Sequence, residues 1–162
     1  MSTFFAHPNW EAVVASAVTI VTVLFTVISY IVTRLKELAW RRTEFLCEQS
    51  QYLDNDPVLV ETITILEGRH PDITISEIFG AETAIDSATR NEYLQKFDKL
   101  FNLLWRLCYA HLETKAISRK ELEGFGWYFS KISENSSLVE YCENNGFDDI
   151  NTAIEKLKRF WT

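Results

Sequence analysis

Basic side chains on one predicted helix are the residues of this sequence best suited to chemistry. Lys96, Lys99 and Arg106 are spaced three and then seven residues apart, which places the three cations on one helical face. Lysine and arginine bind phosphate oxygens through charge-assisted hydrogen bonds. The spacing therefore predicts a binding site for an anionic ligand on this face.

Two further basic pairs extend the candidate site. Arg119 and Lys120 begin the next predicted helix, whereas Arg69 and His70 follow a helix C-terminus, where the helix dipole favours cations. The alternative is that such residues form surface ion pairs, each contributing less than about 1 kcal/mol. The predicted ligand-binding set comprises Arg69, His70, Lys96, Lys99, Arg106, Arg119 and Lys120.

Catalytic signatures are absent from the sequence. It has no phosphate-binding loop, no dinucleotide glycine fingerprint, no nucleophile elbow and no metal-spaced Cys or His pair. His111 lies on an apolar helical stripe, which favours a buried, hydrogen-bonded imidazole over a catalytic base. We therefore predict a protein that is not an enzyme and needs no metal or cofactor.

The charge distribution excludes a general nucleic-acid binder. The formal net charge is −7, and beyond position 42 the chain has 12 basic residues against 21 acidic ones. Affinity for duplex nucleic acid depends on neutralising phosphates with many Lys and Arg side chains. We expect no duplex partner, so an anionic ligand must use a local basic pocket.

A 22-residue run without charge, from Ala12 to Thr33, predicts a transmembrane helix. At 1.5 Å per residue it spans about 33 Å, enough for a hydrocarbon core of about 30 Å. A cleaved signal peptide is the alternative. It would need a basic segment before a shorter apolar run, whereas here the basic cluster follows the run.

The flanking charges predict the orientation. Residues 1–11 contain no Lys or Arg, whereas four cations directly follow the apolar run, at Arg34, Lys36, Arg41 and Arg42. The positive-inside rule then places the N-terminus outside and the C-terminal part in the cytoplasm, as a single-pass inner-membrane protein.

The number and spacing of the cysteines also favour a cytoplasmic location for the C-terminal part. Cys47, Cys108 and Cys142 are odd in number, lack paired spacing and lie in apolar stretches of predicted helices. We therefore expect reduced thiols in the protein core rather than disulfides.

Small and hydroxylic residues recur along the apolar run at alternating spacings of three and four. In lipid, helices associate through small side chains and interhelical hydrogen bonds. The pattern therefore predicts a homo-oligomer, which we expect to be a tetramer. The stripe is either a packing seam or, in a ring of four or more helices, the lining of a narrow wet path. Its members are Ala15, Thr19, Thr22, Thr26, Ser29 and Thr33.

Together these patterns predict an all-α protein, with a single N-terminal transmembrane helix that continues into a cytoplasmic helical bundle. No Gly or Pro lies between Thr33 and Tyr52, so the membrane helix is expected to continue. The predicted divisions are an extracytoplasmic leader (1–11), the transmembrane helix (12–33), a basic juxtamembrane stalk helix (34–53) and a cytoplasmic helical domain (54–162).

Local signals predict the helices of the cytoplasmic domain. Asp56 is a good N-cap with Pro57 at the first helical position, and Gly68 is expected to end that helix. Two apolar rows mark residues 88–115 as the central helix. We expect the other helices at 76–79, at 118–132 from a capping box, at 137–143, and at 148–160 with Asp148 as the cap.

The layout of a short outer leader, one membrane helix, the basic stalk WRRTEFL and a helical domain resembles small bacterial membrane proteins of antiphage defence. Among these it looks like the cyclic-oligoadenylate-responsive membrane effectors of type III CRISPR systems. The resemblance covers architecture and no binding motif. It implies that the soluble domain binds cyclic tetra-adenylate and that the membrane helices assemble, so that binding leads to membrane permeabilisation.

A different class of protein fits the same sequence. The chain would then be a constitutive single-pass anchor or scaffold whose acidic helical domain holds a protein partner through an exposed apolar face, with no small ligand.

Overall fold

The structure is a computed structural model that describes residues 9–80 and 85–158. Regular structure within these ranges is entirely helical and contains no strand, which confirms the all-α fold. The first eight residues of the predicted leader and the predicted end of the last helix at Phe160 lie outside the described residues. The helices are α1 (Trp10–Asn55), α2 (Pro57–Leu66), α3 (Ile75–Phe79), α4 (Ser87–Leu112), α5 (Arg119–Glu123), α6 (Gly126–Ser133), α7 (Ser136–Asn144) and α8 (Asp148–Leu157).

Helix α1 is continuous over 46 residues, as the absence of Gly and Pro predicts. The chain nevertheless divides after Thr43 into two compact units, 1–43 and 44–162. In the described part of the first unit, the large apolar side chains are between 43% exposed at Val32 and 72% exposed at Phe25. Mean hydropathy reaches 2.4 in the most apolar window of α1. By length and composition it is the helix, among those described, that could cross a membrane.

The junction between α1 and α2 follows the sequence prediction. The Asp56 carboxylate accepts hydrogen bonds from the backbone N–H groups of Val58, at 3.0 Å, and Leu59, at 3.3 Å. Pro57 occupies the first helical position, where its missing N–H leaves no hydrogen bond unmade. Helix α2 ends before Gly68, whose φ of +71° is a conformation that glycine adopts without strain.

Helix α4 is the centre of the second unit, as its two apolar rows predict. It packs against α2, α3, α5 and α8, and Phe97 and Phe101 on it are fully buried. The ring of Phe97 meets Phe79 of α3 edge-on at 4.9 Å. The ring centre of Phe101 lies 5.8 Å from the ring centre of Tyr141 in α7. The core is therefore built around one face of α4, which leaves its opposite face available for polar contacts.

Two details of the predicted helices were wrong. The helix expected from 118 to 132 is broken into α5 and α6, because the N–H groups of Gly124 and Phe125 bond three residues back, to Glu121 and Leu122, instead of four. Asp148 is the first residue of α8 and not its cap, since Phe147 occupies the cap position without a side-chain hydrogen bond.

The cysteine prediction was right for two of the three residues. Cys108 and Cys142 are buried free thiols, and burial raises the pKa of Cys142 to about 12. Cys47 is instead exposed on α1. Its neighbours Phe45 and Leu46 are the side chains that turn toward the core.

Candidate functional site

A groove of about 1210 Å³ lies within the second unit, where the last turns of α1 and the start of α2 meet the outer face of α4. Burial of Leu53, which is 2% exposed, fixes the end of α1 against the core. We call this feature the α1–α4 groove. It is lined by Glu48, Gln49, Gln51, Tyr52, Asn55, Asp56, Pro57, Gln95, Asp98, Lys99, Asn102, Leu103 and Arg106.

Lys99 connects the two sides of the groove. Its ammonium nitrogen donates a hydrogen bond to Oδ2 of Asp56 at 2.6 Å and lies 5.6 Å from the centre of the Tyr52 ring. The hydrogen bond from Lys99 is the main cause that lowers the pKa of Asp56 below its ordinary value. Lys99 therefore holds the last turn of α1, through Tyr52, and the residue between α1 and α2, through Asp56.

Arg106 lines the same groove two turns farther along α4. Seven residues correspond to a rise of about 10 Å along a helix. The Arg106 side chain is exposed and has no ion-pair partner in the described parts of the chain. Two of the seven predicted ligand-binding residues, Lys99 and Arg106, are thus brought to one concave surface.

Side-chain amides are the commonest groups in the groove. A carboxamide both donates and accepts hydrogen bonds, so it can recognise the edge of a base or a peptide group. Tyr52, which is 54% exposed, adds an aromatic face at the same place. One amide already has a partner, because Asn102 donates to the backbone carbonyl of Asp98 at 2.8 Å. The amides come from Gln49, Gln51, Asn55, Gln95 and Asn102.

Carboxylates in the groove offset the positive charge of its two cations. Glu48, Asp56 and Asp98 line it beside the two cations, and the Tyr141 hydroxyl donates to Oδ1 of Asp98 at 2.8 Å. The Asp56 carboxylate already forms an ion pair with Lys99. An anionic ligand must therefore compete with a carboxylate of the protein for one of its two cationic contacts.

Lys96 and His70 meet at a different place, around Glu61. The Lys96 ammonium lies 3.0 Å from Glu61 and 2.9 Å from Glu92, and its side chain is only 16% exposed. Burial acts against the charged form, but the hydrogen bonds to Glu92 and Glu61 outweigh it and raise the pKa of Lys96. The His70 Nε2 is 3.9 Å from the Glu61 carboxylate. Lys96 thus pairs with acidic groups of the protein, His70 lies near one of them, and neither residue lines the α1–α4 groove.

The other three candidates lie on the surface. Arg69 pairs with Glu67, and Arg119 pairs with Glu123 at 2.9 Å. Lys120 is exposed on α5. None of the three lines the groove, so the structure does not gather the seven predicted residues into one site.

The hydroxyl groups of the predicted seam are bonded within α1. Thr19 donates to the carbonyl of Ala15 at 2.8 Å, Thr22 to Val18 at 2.9 Å and Thr26 to Thr22 at 2.8 Å. Ser29 and Thr33 are exposed on the same helix. These threonine hydroxyls are therefore satisfied within α1 and need no hydrogen-bond partner on another helix.

The described ranges contain no group of three or more His, Cys, Asp or Glu side chains that could hold a metal ion. The Nδ1 atom of His111 lies 3.2 Å from the carbonyl oxygen of Ile117, and the ring is half-buried. That contact joins α4 to the segment before α5 and gives His111 a structural role.

Comparison of the chain with protein-family models, with curated proteins and with solved structures finds no match in any of the three. Over residues 9–80 and 85–158 the protein is all-α, with one helix long and apolar enough to cross a membrane and, in its second unit, a polar groove lined by two cationic side chains.

Proposed function

We propose that this chain is a membrane-anchored effector of antiviral defence, in which the helical domain binds a cyclic oligoadenylate and changes how copies of the chain associate, so that the membrane is perturbed. The observation that carries the proposal is the α1–α4 groove itself, where Lys99 and Arg106 lie beside five amides and Tyr52. These are the groups that a nucleotide with several phosphates and adenines would use.

Each part of the ligand has a counterpart in the groove. Lys99 and Arg106 pair with phosphates through charge-assisted hydrogen bonds. Because two helical turns separate the two residues by about 10 Å, each contacts a different phosphate. Amide side chains such as Gln95 hydrogen-bond the edge of adenine, and Tyr52 stacks on a base. The groove, at about 1210 Å³, exceeds the usual range of about 300–1,000 Å³ for small-ligand pockets.

The number of phosphates in the ligand links its binding to the assembly of the protein. One groove supplies two cations, whereas a cyclic tetra-adenylate has four phosphates. Two copies of the groove would match those charges, so the ligand binds an assembled state more tightly than a single chain. A ligand can shift an equilibrium only by such a difference in affinity.

The membrane part of the proposal rests on α1. Its apolar segment spans the bacterial inner membrane once, with the N-terminus outside, and the basic residues after Thr33 lie on the cytoplasmic side. Copies of the chain contact one another along the small-residue stripe of α1 and form a tetramer. The stripe consists of Ala15, Thr19, Thr22, Thr26, Ser29 and Thr33.

A second function is favoured by the pairing of the cations. Asp56 neutralises Lys99, Glu61 and Glu92 neutralise Lys96, and the groove contains more carboxylates than cations. Such a surface suits a constitutive anchor or scaffold that holds a polar segment of a protein partner. In that case the protein needs no nucleotide, and its subunit count does not change when a nucleotide is added.

Calorimetric titration of the full-length protein in detergent with cyclic tetra-adenylate separates the two functions. The effector function predicts binding heat that is lost in Lys99→Glu/Arg106→Glu and retained in Lys120→Glu, which reverses an exposed charge outside the groove. No heat with the wild-type protein would remove the nucleotide from the account. A protein partner recovered from membranes with both reversed variants would support the scaffold.

A further inference from the structure

Asp56 uses its two carboxylate oxygens for different purposes. Oδ1 accepts the backbone N–H groups of Val58 and Leu59 and so caps α2. Oδ2 accepts the hydrogen bond from Lys99. Asp56 is also the single residue between the end of α1 at Asn55 and the start of α2 at Pro57. One side chain therefore caps a helix and attaches the α1–α2 junction to α4.

We propose that the Lys99–Asp56 ion pair is an exchangeable contact, which a phosphate-type anion opens by taking the place of the Asp56 carboxylate on Lys99. This inference rests on the proposed function, because it assigns the regulation of the same groove. Lys99 is open to solvent, with 38% of its side chain exposed, so an incoming anion can reach the ammonium. Arg106 supplies the second contact for such an anion.

The exchange has a defined local consequence. Lys99 holds the junction at two points, the carboxylate of Asp56 and the ring of Tyr52. A phosphate bound to Lys99 weakens both, while Oδ1 of Asp56 still caps α2 and Leu53 still anchors the last turn of α1 in the core. The opening is thus confined to the α1–α2 junction, the segment where α1 joins the rest of the second unit.

The contact can be tested without unfolding α2. Asparagine is as good an N-cap as aspartate, so Asp56→Asn keeps the cap and removes the ion pair. Glu48→Gln is the matched control, because it removes one charge from the same groove and leaves Asp56 in place. Both variants are compared with wild type as full-length protein in detergent, using inorganic tripolyphosphate as a base-free probe and cyclic tetra-adenylate as the proposed ligand.

Two measurements give the expected result. Asp56→Asn binds tripolyphosphate about fivefold more tightly than wild type, since the competing carboxylate is gone. Without any anion, its amides over residues 52–60 exchange hydrogen for deuterium faster than those of wild type. Wild type reaches the same faster exchange when tripolyphosphate is added, whereas Glu48→Gln without anion exchanges like wild type.

Three outcomes overturn the contact: no binding of either anion, equal affinity gains in Asp56→Asn and Glu48→Gln, or unchanged exchange over residues 52–60 in Asp56→Asn. Failure of the proposed ligand gives a different pattern. If tripolyphosphate binds and opens the junction but cyclic tetra-adenylate does not bind, the exchangeable contact stands and the oligoadenylate assignment falls.

Discussion

The ammonium nitrogen of Lys96 lies 3.0 Å from a carboxylate oxygen of Glu61, and this pair joins α4 to α2 across 35 residues of sequence. Glu92 contacts the same ammonium from one turn earlier on α4, and the ring of Tyr93 lies 4.4 Å from it. A residue that its spacing predicts as a ligand contact thus has a structural partner on another helix.

Lys96→Met should lower the free energy of unfolding by about 1 kcal/mol, because it leaves the half-buried Glu61 without its cation. Urea denaturation of the full-length protein in detergent measures the change. Lys158→Met is the control, since it removes an exposed lysine paired with Glu155, and we expect its effect to stay within about 0.5 kcal/mol. Equal losses in the two variants would contradict a structural role for the Glu61 pair.

Stability at acidic pH should report the ion pair of Asp56. Lys99 lowers the pKa of this carboxyl in the folded protein, so the pair stabilises the fold above the ordinary Asp value of 3.8. That contribution is lost as the pH falls through the lower, folded-state pKa. The melting temperature of wild type should therefore exceed that of Asp56→Asn at pH 6, and the difference should shrink as the pH is lowered past 3.8. A difference that is constant with pH would mean that the pair does not form.

Substitutions at Thr22 and Thr26 should separate the effect of side-chain size from that of hydrogen bonding in the predicted seam of α1. Thr22→Leu/Thr26→Leu enlarges the stripe and is expected to reduce oligomer size in detergent, measured by light scattering. Thr22→Val/Thr26→Val keeps the shape and removes hydroxyls that are bonded within α1, so its oligomer should match wild type. If the valine variant also dissociates, the hydroxyl groups themselves mediate the contact. An unchanged leucine variant would rule out the stripe as a seam.

Thiol labelling should distinguish the three cysteines in the folded protein. Cys47 is exposed and should react with maleimide first, whereas Cys108 and Cys142 are buried, which raises the pKa of both thiols and slows the reaction. Mass spectrometry of the native protein should show one rapid modification, and denaturant should release the other two. Rapid labelling of all three would contradict the packing of α4 and α7.

Local signals made the helices predictable. The junction at Asp56 and Pro57 needs a cap and a residue without an N–H, and the sequence places both types there. The break between α5 and α6 was missed because a capping box marks where a helix begins but not where it ends. The turn at Gly124 depends on hydrogen bonds to Glu121 and Leu122, which no periodicity reports.

The groove could be predicted only in part. Lys99 and Arg106 were found because their spacing lies within one helix. Asp56 contacts Lys99 from 43 residues away, so the partner that neutralises it is a product of tertiary packing. The sequence analysis missed the amides at Gln49, Gln51 and Asn55, although their closeness in sequence could have indicated a polar surface at the end of α1.

Ligand-linked assembly through α1 is the central claim, and the subunit count of the purified full-length protein tests it most directly. Light scattering in mild detergent, with and without cyclic tetra-adenylate, should show an oligomer whose size or stability against dilution changes when the nucleotide is added. A strict monomer under both conditions would contradict the account.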